Sequence, residues 1–256
     1  MGGESTTGTA PRGGTATTAP VGTRTGQRLS GLAVALGLVL FLGGFVWGAV
    51  VYRPYTVPTD SMTPTIGAGD RILAQRVDGA EVRRGDVVVF KDATWADAPM
   101  VKRVVAVGGD KVSCCEDGKL TVNGKEIDEP YLPAGKAAES SGFANVTVPE
   151  GRLFLLGDER RTSLDSTAHL TDAAGGTVAR SAVDARVDSV VWPMDGMLPR
   201  PTGFADLGAL SSPGPLRTIL WAVAVGVVLI LAGAAYGPVA KRAARTRARR
   251  ESAGAG

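Results

Sequence analysis

The 256-residue chain contains a single histidine, His169, and only two cysteines, Cys114 and Cys115. It has no HExxH and no CxxC pattern, so the usual ligand spacings of a zinc site are missing. His169 lies in a polar, loop-like segment, where a surface histidine is the simpler interpretation, and a Ser-His-Asp triad would depend on it alone. If a serine is a nucleophile here, we expect another group to take its proton. We predict no metal and no cofactor.

Charge is absent from two long apolar runs, residues 29–52 and residues 218–240. A bilayer core of about 30 Å needs about 20 apolar residues as a helix, and both runs are long enough. The alternatives are a buried core helix and, for the first run, a cleaved signal peptide. Neither run has a polar face, and the first exceeds the usual apolar core of a signal peptide. We therefore predict two transmembrane helices.

Positive charge is concentrated near the two ends of the chain. Residues 53–215 carry a net charge of −5, whereas the leader (1–28) and the tail (241–256) are basic. Because basic flanks stay in the cytoplasm, we expect both termini there and the intervening loop outside. The basic tail is expected to lie against anionic lipid, so it does not indicate nucleic-acid binding.

The adjacent cysteines lie in this outer loop, where oxidation is possible. A bridge between neighbours is strained. The sequence leaves three alternatives open: a disulfide between Cys114 and Cys115, two free thiols, or pairing with another chain.

The segment between the apolar runs has the pattern of an antiparallel β domain. Turn sequences separate seven short runs rich in Val, Ile and Leu: RILAQRV, DVVVFKD, MVKRVVAV, KLTVNG, NVTVPEG, RLFLLGD and ARVDSVVWP. Asn123-Gly124 lies between strand-like flanks, which is a two-residue hairpin signal. We predict a mainly β domain over residues 53–198, with no soluble helix.

Three segments are expected outside this domain or on its surface. Residues 1–28 contain almost no large apolar residue and are predicted to be disordered. Residues 133–146 are predicted to form an exposed loop. Residues 199–217, which contain four prolines, are predicted to link the domain to the second membrane helix.

Where histidine is scarce, a lysine can activate a serine. Burial disfavours the ammonium form, and the neutral amine can then accept a hydroxyl proton. Ser61, in VPTDSMTPTI, follows Arg53 by eight residues, where the chain leaves the predicted membrane helix. Lys102 lies in the apolar run PMVKRVVAV. A snorkelling surface lysine is the alternative interpretation of that pattern.

Five motifs in order resemble type I signal peptidases, the membrane-anchored Ser-Lys peptidases of bacteria that remove signal peptides from exported preproteins. They are SMTPT, GDRILAQRV, RGDVVVF, VKRVVAVGGD and LLGDERRTSLDS, within residues 50–195. The resemblance implies a serine endopeptidase of the cell membrane that needs no cofactor. It also implies three partners: signal peptides, the lipid bilayer and the protein export machinery.

The resemblance assigns the chemistry to three residues. Ser61 matches the nucleophile and Lys102 the general base. Thr59 matches the position whose hydroxyl joins the Ser61 backbone N–H in an oxyanion hole, where such donors stabilise the charge that develops on the former carbonyl oxygen.

Five further positions match supporting residues. Ser163 matches the serine that hydrogen-bonds and positions the lysine amine. Asp165 and Arg103 match a supporting ion pair. Gly157 and Asp158 match the turn that shapes this wall of the site.

Three departures from the family pattern concern the supporting residues. Glu159 stands where the family has Asn, and AVGGD replaces Gly-x-Pro-Gly-Asp. Thr167 stands where the family has a second arginine, so Asp165 would depend on Arg103 or another cation. The nucleophile, the base and the oxyanion donor match the family.

An extended substrate could add to a sheet edge, with small side chains in shallow pockets. We expect residues just before Ser61, those near Val101 and Lys102, and Phe90 to line these pockets, and Met62 to face lipid or substrate. Two other functions stay open. One is a self-cleaving repressor with the same catalytic pair, although these are soluble and carry a DNA-binding domain. The other is a catalytically dead β domain that binds export machinery.

Overall fold

The computed structural model describes residues 24–116, 118–135 and 142–253. They form two long helices, α1 (Arg24–Val51) and α2 (Leu216–Ala253), with strands between them. The strands are β1 (Tyr52–Thr56), β2 (Arg71–Arg76), β3 (Val87–Phe90), β4 (Met100–Val107), β5 (Lys111–Glu116), β6 (Lys119–Val122), β7 (Lys125–Glu126), β8 (Phe143–Thr147), β9 (Arg152–Leu156), β10 (Thr177–Ala179), β11 (Val183–Trp192) and β12 (Gly196–Met197).

The strands form two antiparallel sheets. The larger sheet has the order β1-β2-β11-β3-β4-β9-β10, with β12 paired to β11, and the smaller has the order β7-β6-β5-β8. The predicted mainly β, antiparallel fold between two apolar helices is confirmed.

Both faces of the larger sheet are covered, as β3 illustrates. All four of its residues are buried. Val87 and Val89 belong to one apolar cluster, and Val88 and Phe90 belong to another on the opposite face. A strand buried on both faces has a continuous apolar sequence instead of an alternating one. This explains why VVVF is uninterrupted by polar residues.

The predicted hairpin at Asn123-Gly124 is confirmed. Val122 pairs with Lys125 across the turn. The φ angles of Asn123 and Gly124 are 55° and 76°. A two-residue turn with positive φ at both positions matches the twist of the flanking strands, and Asn and Gly tolerate it best.

The chain divides into two compact units, Met1–Gly43 with Ala222–Gly256, and Gly44–Trp221. Two helical spans, Thr25–Val51 and Leu216–Ala240, are long and apolar enough to cross a membrane. Only 11% and 17% of their most apolar windows are buried, unlike the core helix of a soluble domain.

Within the first unit, small residues bring the two helices close together. A Cβ added to Gly37 would lie 2.7 Å from the carbonyl oxygen of Gly226. Ser30 Oγ donates a hydrogen bond to the carbonyl oxygen of Gly233 at 2.7 Å. Close backbone approach and interhelical hydrogen bonds are the usual means by which helices associate in lipid.

Both helices extend beyond their predicted limits. Residues 24–28, predicted to be disordered, form the first turns of α1, and residues 1–23 lie outside the described part of the chain. Helix α2 continues through the basic segment to Ala253. The basic segment of α2 is rich in alanine and arginine, which are strong helix formers, so its charges do not end the helix.

The predicted loop at 133–146 is partly wrong. Phe143–Thr147 forms β8 on the small sheet, because Phe143 packs into the core against Phe154 with ring centroids 5.3 Å apart. Residues 136–141 lie outside the described residues. The pattern also missed β5, where Cys114 and Cys115 are joined by a disulfide, the first of the three alternatives.

The predicted linker at 199–217 is ordered and belongs to the second unit, Gly44–Trp221. It contains a short 3₁₀-helix, Thr202–Leu207, in which Phe204 is fully buried. Ser211 Oγ donates to Asp86 Oδ2 at 2.5 Å. The four prolines therefore accompany a packed segment.

Candidate active site

Ser61 lies on a tight turn after β1 that is anchored by its buried neighbours. Met62 and Ile66 are fully buried and form an isolated β-bridge, with Ile66 N donating to Met62 O at 2.9 Å. Val57 N donates to Asp70 O at 2.9 Å. The expectation that Met62 faces lipid or substrate is wrong, because its side chain anchors the turn in the core. The anchored turn presents the hydroxyl of Ser61.

Lys102 reaches Ser61 from the middle of β4. Its side chain is only 4% exposed, so it is not a snorkelling surface lysine. Nζ lies 2.6 Å from Ser61 Oγ, within hydrogen-bond distance. Burial lowers the pKa of Lys102, and the carboxylates of Asp165 and Asp158 oppose this by raising it. The net lowering favours the neutral amine that a general base requires.

Thr59 lies beside Ser61. Its exposed Oγ1 donates to Ser61 Oγ at 3.3 Å. A hydroxyl at this position, together with the backbone N–H of Ser61, could donate to an oxygen that becomes negative during attack on a carbonyl.

The loop after β9 presses against the backbone of Ser61. Glu159 N donates to Ser61 O at 3.1 Å. A Cβ added to Gly157 would lie 2.5 Å from Ser61 O and 2.1 Å from Ser163 Oγ. Only a residue without a Cβ fits in this space, so Gly157 determines how closely the loop approaches Ser61.

Ser163 is placed at the site, but without the predicted bond. Its Oγ is buried and has no hydrogen-bond partner among the described residues. The hydroxyl packs against Gly157, close to the position where a Gly157 Cβ would also meet Ser61 O. The bond to Lys102 Nζ implied by the family resemblance is not formed in this structure.

The expected ion pair between Arg103 and Asp165 is replaced by one between Arg103 and Asp158. Arg103 donates from Nε to Asp158 Oδ1 at 2.9 Å and from Nη2 to Oδ2 at 2.7 Å. Both side chains are almost fully buried, and Thr65 Oγ1 also donates to Asp158 at 2.5 Å. The sheet register explains the change, because Arg103 pairs with Leu156, two residues before Asp158.

Asp165 is held by neutral donors alone among the described residues. It accepts from Gly157 N at 2.9 Å, from Thr167 N at 3.0 Å and from Thr167 Oγ1 at 2.8 Å. Thr167, a departure from the family pattern, thus binds the carboxylate by hydrogen bonds instead of by charge. The negative charge of Asp165 stays uncompensated and acts on Lys102.

Sequence reasoning missed a second buried ion pair next to Arg103. Arg160 Nη1 donates to Glu129 Oε2 at 3.0 Å, and Nη2 lies 2.5 Å from Oε1. Tyr131 donates its hydroxyl to Glu129, and Arg103 Cζ lies 3.7 Å from the centre of its ring. Burial raises the pKa of Tyr131, which keeps the hydroxyl protonated. Glu129 lies in a turn-like segment, EIDEPYLP, with no signal that marks a partner 31 residues away.

A mainly apolar groove with a volume of 590 Å³ ends at the Ser61–Lys102 pair. Its lining comprises residues 55–61, Val89, Ala96, Ala98, Pro99, Met100, Val101, Lys102, Thr162 and Leu164. The expectation for Val101 and for the residues before Ser61 is met, but the one for Phe90 is wrong. Phe90 points to the opposite face of β3, where its ring contacts Trp95.

No group of three or more His, Cys, Asp or Glu that could hold a metal ion occurs within residues 24–116, 118–135 and 142–253. His169 instead binds Asp172 through Nδ1, at 2.7 Å from Oδ2, and stacks on Trp95.

Comparison with known proteins finds one family. Residues 29–192 match the family model described as signal peptidase, peptidase S26. The chain is similar to the probable signal peptidase I of Mycobacterium leprae (strain TN), at 32% identity over 236 residues, covering 70% of this chain and 78% of that protein. It is also similar to signal peptidase I S of Bacillus subtilis (strain 168), at 36% identity over 145 residues, covering 53% and 74%. A crystal structure of a signal peptidase I from Enterococcus faecalis is 27% identical, with a TM-score of 0.35, and covers 41% of this chain and 94% of that one.

Proposed function

Because this chain belongs to the signal peptidase family, we propose that it is a membrane-anchored serine endopeptidase that removes signal peptides from exported preproteins, with Ser61 as nucleophile and Lys102 as general base. The observation that carries the proposal is the 2.6 Å distance between Ser61 Oγ and the buried Lys102 Nζ. The apolar groove that ends at this pair supplies a place for the substrate.

In the proposed acylation step, the neutral amine of Lys102 accepts the hydroxyl proton of Ser61 while Oγ attacks the scissile carbonyl carbon. The carbonyl oxygen becomes negative, and Thr59 Oγ1 and the Ser61 N–H donate to it. The Lys102 ammonium then protonates the leaving amine as the C–N bond breaks. This leaves the signal peptide as an ester on Ser61 and releases the mature protein.

Deacylation uses the same groups in the same order. Lys102, neutral again, accepts a proton from water as the water oxygen attacks the ester carbonyl. The ammonium returns this proton to Ser61 Oγ as the C–O bond breaks, which releases the signal peptide and restores the enzyme. Ser163 is proposed to position the amine during these transfers. It lies beside Gly157, as Ser61 O does, and its buried hydroxyl has no hydrogen-bond partner among the described residues, so it is available for such a bond.

The groove fits an extended peptide with small side chains near the cut. Ala96 and Ala98 on one wall and Val57 on another are compatible with shallow pockets. We propose that the substrate is the signal peptide of a preprotein held in the bilayer or delivered by the export machinery. In the proposed topology both basic ends are cytoplasmic and the β domain is extracytoplasmic, as the charge distribution favours.

The test is processing of a labelled preprotein by the full chain in liposomes, with N-terminal sequencing of the product. Wild type should release a mature protein cut after a small residue. Folded Ser61→Ala and Lys102→Met variants should be inactive, and Lys111→Met, on the exposed side of β5, should be active. If wild type processes no preprotein, the proposed function is refuted and a binding domain is favoured. If the Lys102→Met variant were active, Lys102 would not be the general base.

A further inference from the structure

We propose that Trp95 and His169 form a clasp that holds one wall of the substrate groove in place and thereby strengthens peptide binding. The effect on peptide binding rests on the proposed peptidase function, whereas the contact between the two rings does not depend on the chemistry at Ser61. His169 is the single histidine of the chain, and the proposed mechanism gives it no part.

The clasp is a stack of two planar rings. The indole of Trp95 and the imidazole of His169 lie 4.5 Å apart between centroids, with an angle of 8° between their planes. Trp95 also contacts the buried ring of Phe90, at 5.5 Å and 86°. The indole is therefore held between the core of the sheet and the imidazole, an arrangement in which both aromatic contacts are favourable.

On one side, the clasp holds the loop between β3 and β4. The backbone N–H groups of Trp95 and Ala96 both donate to Asp92 O, at 3.1 and 3.0 Å, which makes this part of the loop a tight turn. Ala96, Ala98 and the following residues line the groove. Because Ala96 follows Trp95 directly in the turn, a displacement of the indole would displace the groove wall.

On the other side, the clasp is attached to β9. His169 N donates to Ser166 O at 3.3 Å. Ser166 exchanges two hydrogen bonds with Leu155, accepting from Leu155 N at Oγ (2.8 Å) and donating from its own N–H to Leu155 O (3.0 Å). Leu155 is fully buried in β9. His169 thus projects from a turn that is bonded to the core.

The imidazole is well suited to this role. Its side chain is only 18% exposed, and Asp172 binds Nδ1 on the same loop, which orients the ring. The loop between β9 and β10 also contributes Thr162 and Leu164 to the groove. The stack therefore connects two loops that each form part of the groove lining.

His169→Ala should raise the KM for a signal-peptide substrate by about 2- to 10-fold, the range that one aromatic pair supplies. The kcat should change less than 2-fold, since the Ser61–Lys102 pair is untouched. His169→Phe keeps a planar ring at the position and should keep the KM of wild type. Lys91→Ala is the matched control, because it removes only an exposed ion pair with Asp97 in the same loop.

Hydrogen exchange provides a readout that does not depend on activity. In His169→Ala, amides of residues 91–99 should exchange faster than in wild type, whereas those of β4 and β9 should not. Restored protection in His169→Phe would support the stack, and protection as low as in His169→Ala would refute it. Unchanged KM and unchanged exchange in His169→Ala would overturn the proposal, as would a loss confined to kcat. If wild type cleaves no peptide, the exchange data still decide on the clasp, and only the proposed function fails.

Discussion

Gly157→Ala should abolish most activity while the protein stays folded. The added Cβ would lie 2.5 Å from Ser61 O and 2.1 Å from Ser163 Oγ, whereas ordinary van der Waals contacts are 3.4–4 Å. Ser163 Cβ would also lie 2.5 Å away, so rotation of the Ser163 hydroxyl alone does not relieve the overlap. The carbonyl of Ser61 belongs to the backbone, so it can recede only if Ser61 moves with it.

The geometry sets the size of the effect. Restoring contact distance requires Ser61 O to move by about 0.9 Å. A misplacement of about 1 Å can cost about 10²-fold in rate, and loss of an oxyanion donor costs about 10²–10³-fold. We expect kcat/KM to fall by about 10²–10³-fold. Overpacking of this kind destabilises by about 1–3 kcal/mol, which corresponds to a Tm lower by about 2–12 °C.

Peptide cleavage kinetics and thermal melts of the same samples measure both effects. Gly67→Ala, six residues after Ser61, is the matched control, because its Cβ would meet no atom closer than 3.7 Å. The control should keep wild-type activity. If Gly157→Ala retained wild-type kcat/KM, the loop after β9 would not position the nucleophile, and the reasoning would be refuted.

Three further predictions concern the buried charges. Lys102→Met should lower kcat/KM by about 10²–10⁴-fold. Because the pKa of Lys102 is lowered in the folded state, the unfolded chain binds more protons, so wild-type stability should rise with pH up to 10.5 through this group. Urea melts at several pH values should find this rise missing in Lys102→Met. Thr167→Arg should place a cation beside Asp165 and so weaken the rise in the pKa of Lys102 that this carboxylate causes. The acid limb of the kcat/KM profile should then move to lower pH. If the acid limb did not move, the role of Asp165 would be contradicted. Arg160→Met should leave Glu129 buried without its cation and cost about 3–5 kcal/mol in urea melts, and adding Glu129→Leu should recover most of the loss.

Features encoded over a few residues could be predicted from the sequence. The turn at Asn123-Gly124 depends on two residues that accept positive φ, and the seven apolar runs correspond to strands of the two sheets. The start of β8, Phe143 and Ala144, has the sequence pattern of a loop because its polar flanks conceal one buried aromatic ring, whereas the NVTV run that follows has the pattern of a strand. Strand β8 forms by pairing with β5, and no local sequence pattern predicts this pairing.

Residue type alone makes Ser61 and Lys102 candidates, because a serine and a lysine within an apolar strand suit nucleophilic catalysis without histidine. Their roles as nucleophile and general base come from the family resemblance and stay proposals. The partner of Arg103 is not recognisable, because Asp158 and Asp165 both lie in the same loop and only the sheet register decides between them. A residue that acts through packing, such as the stacked His169, leaves no chemical signature in the sequence, and Gly157 is identified only through the family resemblance.

The central claim, that a neutral Lys102 amine activates Ser61, can be tested by measuring the pKa of Lys102 directly. NMR titration of lysine-labelled enzyme, with the signal assigned by its loss in Lys102→Met, gives this value. Comparison with the acid limb of kcat/KM then relates it to catalysis. The account predicts that Lys102 titrates below its ordinary value of 10.5 and that its pKa coincides with the acid limb. Titration at the ordinary value in an enzyme that is fully active at neutral pH would contradict it.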